Sequence, residues 1–150
     1  IMNNLNLPAF QYKIKHIENK AYIYDILRKK FILITPEEWV RQHFVNYLIG
    51  YLSYPKQLIA NEVSIRLNST SKRCDTVIYS KTLQPQVIIE YKSPEIDLSQ
   101  AVFDQALRYN MVLRVKYIIL SNGIKHICCK IDYDNNKYIF LSDIPKYEDL

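Results

Sequence analysis

The sequence predicts an α/β (α+β) fold in which a central mixed β-sheet is flanked by helices. Segments with strand and helix periodicity follow one another as strands, a helix, three strands, a helix and three strands, an order typical of such domains. The chain has 150 residues, 49% of them hydrophobic, with two glycines and no Pro-rich or Ser/Gly-rich linker. This composition favours a single compact domain over residues 1–150.

The first third of the chain supplies two strands and a helix. Residues 22–24 and 31–34 have strand character, and we assign about 1–34 to an N-terminal strand extension. A helix is expected next, because Thr35 can act as N-cap, Pro36 suits the first turn and Glu38 completes a capping box. Its apolar stripe reaches about residue 52 and consists of Trp39, Val40, Phe44, Tyr47, Leu48 and Tyr51.

The remaining elements are six strands and one more helix. That helix is predicted over 97–113, with Asp97 and Gln100 resembling a capping box at its start. Residues 68–72 are rich in turn formers and predict a connection between strands. The predicted strands are 61–68, 73–79, 86–92, 115–120, 125–132 and 137–141, of which the last two form a hairpin.

Charged side chains interrupt two of these apolar strands. Glu90 and Lys92 lie in the β-branched run at 87–92, which predicts a buried central strand, and alternation places both on one face. Asp75 lies in a similar run one strand earlier. Buried charges are costly unless they are paired or metal-bound. If the two strands pair as a hairpin, Asp75 and Glu90 converge on one spot.

Two converging carboxylates repel each other unless a cation lies between them. A hard divalent ion with oxygen ligands, Mg²⁺ with Mn²⁺ as a substitute, is the expected occupant. The charge of Lys92 would then stabilise an activated water or an attacked phosphodiester. A second E-x-K triplet, at Glu18 to Lys20, lies in a polar turn without an apolar strand before it, and we do not assign it a role.

This pattern resembles the PD-(D/E)xK nuclease superfamily, and it is most similar to the N-terminal nuclease domain of type I restriction enzyme R subunits and their small stand-alone relatives. The stretches that carry the resemblance are LITPEEWVRQ at 33–42, RCD at 73–75, IEYKSP at 89–94, QALRYN at 105–110 and the Asn122-Gly123 turn. They span most of the chain. The resemblance implies a restriction-endonuclease-like fold.

The resemblance also implies a role for each matching residue. Asp75 and Glu90 would be metal ligands together with the Tyr91 backbone carbonyl, and Glu38 would be a further helix carboxylate near the metal. Lys92 would be the catalytic lysine. Gln105 and Tyr109 match the Q-x-x-x-Y motif that accompanies this site, and their spacing of four places them on one helix face.

The sequence departs from the family at two points. Cys74 stands where a proline usually precedes the aspartate. No G-x-x-x-x-G-K-[ST] phosphate loop occurs in the chain, so the ATP-driven motor of a type I R subunit is not encoded here. A motor or specificity function would come from a separate subunit, and a homodimer is the other arrangement that we consider.

The expected activity is therefore metal-dependent hydrolysis of DNA phosphodiester bonds in a restriction-modification setting. The alternative is a non-catalytic nucleic-acid-binding or interaction module that retains the nuclease fold. Each residue also has a structural interpretation. Asp75, Glu90 and Lys92 could form a buried ion network, Glu38 could serve only as a capping residue, Gln105 could cap or bridge waters, and Tyr109 could be a core residue. Glu37, which is expected to face solvent, is the alternative acid for the site.

Charge and cysteine content add weaker indications. The net charge of +5 suits a polyanionic partner without requiring one. The three cysteines include adjacent Cys128 and Cys129, whose side chains would point to opposite faces of a strand, so a reduced cytoplasmic protein is expected. The sequence shows no signal peptide, and its apolar runs are too short to span a membrane, so no membrane partner is expected.

Overall fold

The computed structural model describes residues 4–67 and 69–150, without the side chains of Leu67 and Tyr109. Within these residues the chain forms nine strands, two α-helices and two short 3₁₀ turns. The strands are β1 (Ile14–Ile17), β2 (Lys20–Asp25), β3 (Lys30–Leu33), β4 (Ile59–Leu67), β5 (Thr70–Tyr79), β6 (Pro85–Tyr91), β7 (Tyr117–Ser121), β8 (His126–Asp132) and β9 (Lys137–Leu141). The helices are α1 (Pro36–Tyr51) and α2 (Gln100–Met111). No helix in this part of the chain is both long and apolar enough to cross a membrane.

The strands form two sheets rather than the one sheet that we expected. Strands β4 to β9 make a six-stranded sheet in sequence order, which is mixed because β6 and β7 are parallel and the other pairs are antiparallel. Strands β1 to β3 form a separate antiparallel sheet. They pair locally through tight turns, and Glu18 and Asn19 take positive φ values of 49° and 65° in the first of these turns.

The two helices cover opposite faces of the large sheet. On one face, Phe44 and Leu48 of α1 pack against a cluster that includes Ile89 of β6. On the other face, Phe103 and Leu107 of α2 pack against a cluster that includes Ile88. Because β6 is buried on both faces, its apolar run is explained, and the predicted mixed sheet flanked by helices is confirmed.

Local signals explain where the elements begin. The Thr35 hydroxyl accepts a hydrogen bond from the Glu38 N–H at 3.0 Å, which confirms the predicted N-cap. Helix α2, in contrast, begins at Gln100 with Ser99 as N-cap, and not at Asp97. The connection predicted at 68–72 is too long, because residues 70–72 belong to β5 and pair with β4, while residue 68 lies outside the described residues.

The N-terminal segment packs closely against the turn between β7 and β8. The Asn6 N–H donates to the Gly123 carbonyl at 2.8 Å. Gly123 has φ +85°, and a Cβ at this position would lie 2.8 Å from Leu5 Cδ2 and 3.1 Å from Val40 Cγ2. Only glycine satisfies both the backbone conformation and the space.

Replacement of this glycine should destabilise the fold, whereas the same change at the other glycine should not. Gly123→Ala is expected to lower the free energy of unfolding by roughly 1–3 kcal/mol, because it combines left-handed strain with a close contact. Gly50→Ala is the matched control: in the described part of the chain, no atom outside its two neighbours and the surrounding helix backbone lies within 4 Å of its Cβ position, and alanine in a helix should stabilise by roughly 0.5–1 kcal/mol. Urea denaturation of both variants measures this. A stability loss at Gly50 equal to that at Gly123 would contradict it.

Candidate active site

Asp75 and Glu90 lie on neighbouring strands, as the predicted hairpin required. Strands β5 and β6 are antiparallel, and their ladder pairs Thr76 with Ile89. One residue beyond this pair, Asp75 and Glu90 come next to each other at the end of the ladder. The Tyr91 N–H donates to Asp75 Oδ2 at 3.0 Å, which ties the two strands together through the aspartate side chain.

On the side of Asp75 that faces β4, the regular pairing of β4 and β5 is interrupted. The register pairs Asn61 with Thr76 and Val63 with Cys74 but passes over Glu62, which has φ +56°. Into this gap the Arg41 guanidinium of α1 donates from Nη1 to the Asp75 backbone carbonyl at 2.7 Å. The backbone of Asp75 is thus held by a helix side chain where a sheet neighbour would otherwise hold it.

Both carboxylates and Lys92 line one cavity of about 400 Å³. Its wall consists of Thr35, Glu37, Arg41, Glu62, Lys72, Asp75, Glu90, Tyr91 and Lys92. A second cavity of about 250 Å³ shares Lys72, Glu90 and Lys92 with the first and adds Gln105 of α2. The structure therefore brings together four predicted residues, namely Asp75, Glu90, Lys92 and Gln105, around two cavities with a shared wall, which we call the groove.

Glu90 is paired with a lysine that the sequence analysis did not single out. Lys72 Nζ donates to Glu90 Oε1 at 2.8 Å, and Asn110 Nδ2 of α2 donates to the same oxygen at 3.1 Å. Lys72 is only 7% exposed. It was missed because 68–72 was expected to be a turn, whereas Lys72 belongs to β5 and its side chain lies on the groove wall.

Glu38 does not join the other two carboxylates. It is buried, and it is not among the residues that line the cavity, where Glu37 lies instead. Its Oε1 accepts from Arg41 at 2.8 Å, and its Oε2 accepts from Arg28 at 2.9 Å and from Gln42 at 2.9 Å. The expectation of a metal-ligating Glu38 is thus unsupported by the geometry, since both of its oxygens are taken by cationic and amide donors.

Arg41 connects Glu38 to the site. Its Nη2 also donates to Glu62 Oε1 at 2.8 Å, so it connects two carboxylates and the Asp75 backbone. Burial alone would lower the pKa of Arg41, but Glu38 and Glu62 raise it, and the side chain is permanently charged. A sequence signal existed, because Arg41 is three residues after Glu38 and such pairs meet on a helix surface.

The pKa values of Glu38 and Asp75, the two acidic residues next to Arg41, are shifted in opposite directions. Burial tends to raise the pKa of Glu38, but its bonds to Arg41, Gln42 and Arg28 outweigh this and hold the pKa below its ordinary value. Burial also raises the pKa of Asp75, and the charge of Glu90 adds to the rise, while the Tyr91 N–H and Arg41 only partly offset it, so the pKa is above its ordinary value. Asp75 is therefore short of positive charge.

The free oxygens of this pair suit a hard cation. Among the described contacts, Asp75 accepts through Oδ2 and Glu90 through Oε1, which leaves one oxygen of each carboxylate for a further partner. The described residues contain no group of three or more His, Cys, Asp or Glu side chains that would hold a metal. An ion here would rely on two carboxylates, a backbone carbonyl and water, a ligand set that Mg²⁺ accepts and Zn²⁺ disfavours.

The other residues that the sequence analysis considered do not belong to this carboxylate site. The second E-x-K triplet forms the exposed β1–β2 turn. Cys74 is fully buried, and burial raises the pKa of its thiol to about 11, which suits packing and not nucleophilic attack. Cys128 and Cys129 pack into the clusters on opposite faces of the sheet, as predicted. The side chain of Tyr109 lies outside the described residues, so its predicted role stays a prediction.

Comparison with known proteins identifies the family. The family model described as "Type I restriction enzyme R protein N terminus (HSDR_N)" matches residues 36–145, which is more than two thirds of the chain. Among curated proteins no sequence match is found. The matched span contains β4 to β9, both helices and every residue that lines the two cavities except Thr35.

Two solved structures match part of this chain. One is a fragment described as an HsdR subunit of a type I restriction enzyme from Vibrio vulnificus YJ016, with 19% identity and a TM-score of 0.51 over 73% of this chain and 23% of that chain. The other is a cryoEM structure of a DrdV–DNA complex, with 15% identity and a TM-score of 0.47 over 73% of this chain and 11% of that chain. The chain spans less than a quarter of either protein. The HsdR fragment confirms the predicted restriction-enzyme fold class, and the family match shows that this chain belongs to the family of type I restriction enzyme R protein N termini.

Proposed function

We propose that this chain carries a PD-(D/E)xK nuclease site that hydrolyses DNA phosphodiester bonds with Mg²⁺ in a restriction-modification system. The observation that carries the proposal is the shared cavity of Asp75, Glu90 and Lys92 at the end of the β5–β6 ladder. Because the chain spans only part of its larger relative, sequence recognition and translocation are assigned to other subunits or segments. The three unpaired cysteines favour the cytoplasm as the setting.

The metal would be held by residues that line the cavity. Asp75 and Glu90 would each supply one carboxylate oxygen, and the Tyr91 carbonyl would be the backbone ligand. When bound, Mg²⁺ supplies Lewis-acid stabilisation of the phosphate and lowers the pKa of a coordinated water. Glu38 is removed from the proposed ligand set, because Arg28, Arg41 and Gln42 already occupy its oxygens.

Lys92 would act on the substrate directly. Its backbone is fixed by an N–H bond to the Ser121 carbonyl at 2.9 Å, so the side chain extends from the end of the rigid central strand. Among the described residues, no hydrogen bond or ion pair engages its ammonium, and Lys92 lines both cavities. It would hold the attacking water in line and neutralise the charge that develops on the phosphate oxygens.

Glu38 and Arg41 would be positioning residues. The two oxygens of Glu38 fix the guanidinium of Arg41, and that guanidinium holds the Asp75 carbonyl at 2.7 Å. This sets the backbone from which the Asp75 carboxylate projects. Gln105, on the groove wall beside Lys92, would contact the nucleic acid.

DNA cleavage tests the proposed function. Lys92→Ala is expected to lower the cleavage rate about 10²-fold or more, because it removes a fixed charge from the transition state. Asp75→Ala should abolish both cleavage and Mn²⁺ binding. The measurement is Mg²⁺- or Mn²⁺-dependent nicking of supercoiled plasmid, together with calorimetric Mn²⁺ titration.

Lys81→Ala is the matched control, since Lys81 is exposed in the β5–β6 turn and lines neither cavity. It should retain the native cleavage rate. A native chain that binds DNA but neither binds Mn²⁺ nor cleaves would instead support the non-catalytic module. Cleavage that survives Lys92→Ala at the native rate would remove this lysine from the mechanism.

Stability in the absence of metal separates a functional site from a structural ion network. A carboxyl whose pKa is raised in the folded chain destabilises the fold when it ionises, so stability falls as pH rises through that pKa. Asp75→Asn is therefore expected to raise the free energy of unfolding at pH 7. Glu38→Gln should do the opposite, lowering it by about 3–5 kcal/mol, because it leaves buried Arg41 without its main partner.

The pH dependence of the free energy of unfolding in the same variants tests the direction of each pKa shift. The stabilisation from Glu38 is present above its ordinary pKa and is lost as pH falls through the lowered value. The gain from Asp75→Asn should grow as pH rises from the ordinary pKa of aspartate to the raised value of the folded chain, and then level off. Urea unfolding between pH 4 and pH 8 in chelator measures both. A loss of stability in metal-free Asp75→Asn would favour the ion network.

A further inference from the structure

The contact between Lys72 and Glu90 occupies a carboxylate that the proposed function assigns to a metal. Lys72 projects from β5 and is 7% exposed, and its ammonium lies 2.8 Å from Glu90 Oε1. The Glu90 side chain is 16% exposed. An ion pair in such a place is weakly screened by solvent and salt, so the ammonium acts strongly on any second cation that approaches.

The pair resembles a metal site that is already filled by a monovalent cation. An ammonium neutralises part of the charge that would otherwise attract a divalent ion to Asp75 and Glu90. A divalent ion on the other oxygen of Glu90 would lie close to the Lys72 ammonium and would be repelled by it. The two cations therefore compete for the same carboxylate.

The structure also contains an acceptor beside this pair. Asn110 is fully buried in α2, and its Nδ2 donates both to Glu90 Oε1 at 3.1 Å and to the Ala106 carbonyl at 2.8 Å. Because both of these partners are acceptors, the orientation of the amide is fixed. Its Oδ1 is buried and has no hydrogen-bond donor within the described part of the chain. A buried acceptor without a donor is costly and calls for one.

We propose that Lys72 is a resident counter-ion that keeps the metal affinity low, and that it moves from Glu90 to Asn110 Oδ1 when a divalent cation binds. The ammonium and the Asn110 amide contact the same Glu90 oxygen, so the movement is short. The inference rests on the proposed function, since it concerns the same metal. It gives Lys72 and Asn110 roles as positioning residues that the family motif does not assign.

Metal affinity, and not cleavage, tests this inference. Mn²⁺ titrations at fixed ionic strength, without DNA, would compare the native chain with Lys72→Met. Loss of the ammonium is expected to tighten Mn²⁺ binding at least tenfold. Lys72→Gln, which can still donate to Glu90 but has no charge, should give the same result and serves if the methionine variant does not fold.

Arg73→Met is the matched control for the change in net charge. Arg73 is the next residue of β5, has a side chain that is 66% exposed and pairs with Glu62 instead of Glu90. Its replacement should change Mn²⁺ affinity less than twofold. An equal gain at Arg73, or an unchanged or weaker affinity in both Lys72 variants, would overturn the inference while leaving the proposed function intact. If neither the native chain nor the Lys72 variants bind Mn²⁺, both fail.

The role of Asn110 is tested by a double-mutant cycle. Asn110→Ala should weaken Mn²⁺ binding in the native background, because the displaced ammonium loses its acceptor, and should weaken it at least threefold less in the Lys72→Met background. Equal weakening in the two backgrounds would show that Asn110 acts on Glu90 alone and would overturn the proposed movement of Lys72.

Discussion

The proximity of two carboxylates at the end of the β5–β6 ladder is the constraint on which the rest of the site depends. Asp75 and Glu90 come together because the strands pair in one register, and that register is fixed by apolar residues packed on both faces of β6. Like charges in a partly buried place need cations. Arg41 supplies one behind Asp75, Lys72 supplies one on Glu90, and the raised pKa of Asp75 indicates that the supply is incomplete.

The charged side chains behind the site form ion pairs that hold neighbouring elements together, in contrast to the carboxylates in the cavity. Arg28 donates to Asp25 and to Glu38, so ion pairs connect the N-terminal sheet to α1. Glu38 in turn fixes Arg41, which connects α1 to β5. Burial tends to raise the pKa values of Asp25 and Glu38, but their hydrogen-bond and ion-pair partners outweigh it and hold both values below the ordinary ones. A network of fully paired charges thus supports two carboxylates, Asp75 and Glu90, whose negative charge is only partly balanced. This arrangement is expected where stability is given up for binding.

Periodicity and capping were sufficient to predict most of the fold. The Thr35 cap, the helix that follows it and the hairpin that joins Asp75 to Glu90 all depend on local sequence. The functional partners of these residues were harder to predict. Glu38 has the right helical position for a ligand, but the rotamer that carries its carboxylate to Arg28 and Arg41 depends on tertiary contacts. Lys72 was hidden because Asn-Ser-Thr-Ser favours a turn, whereas cross-strand pairing with β4 extends the strand through it.

The central claim is that Asp75 and Glu90 hold one divalent ion between them. A crystal of the native chain soaked in Mn²⁺, with data recorded at an anomalous wavelength, tests it most directly. The account predicts one anomalous peak at about 2.0–2.2 Å from an oxygen of each carboxylate, the octahedral ligand distance of a small divalent ion such as Mg²⁺, with the Lys72 ammonium displaced from Glu90. Mn²⁺ only at other carboxylates, with the Lys72–Glu90 contact unchanged, would contradict it.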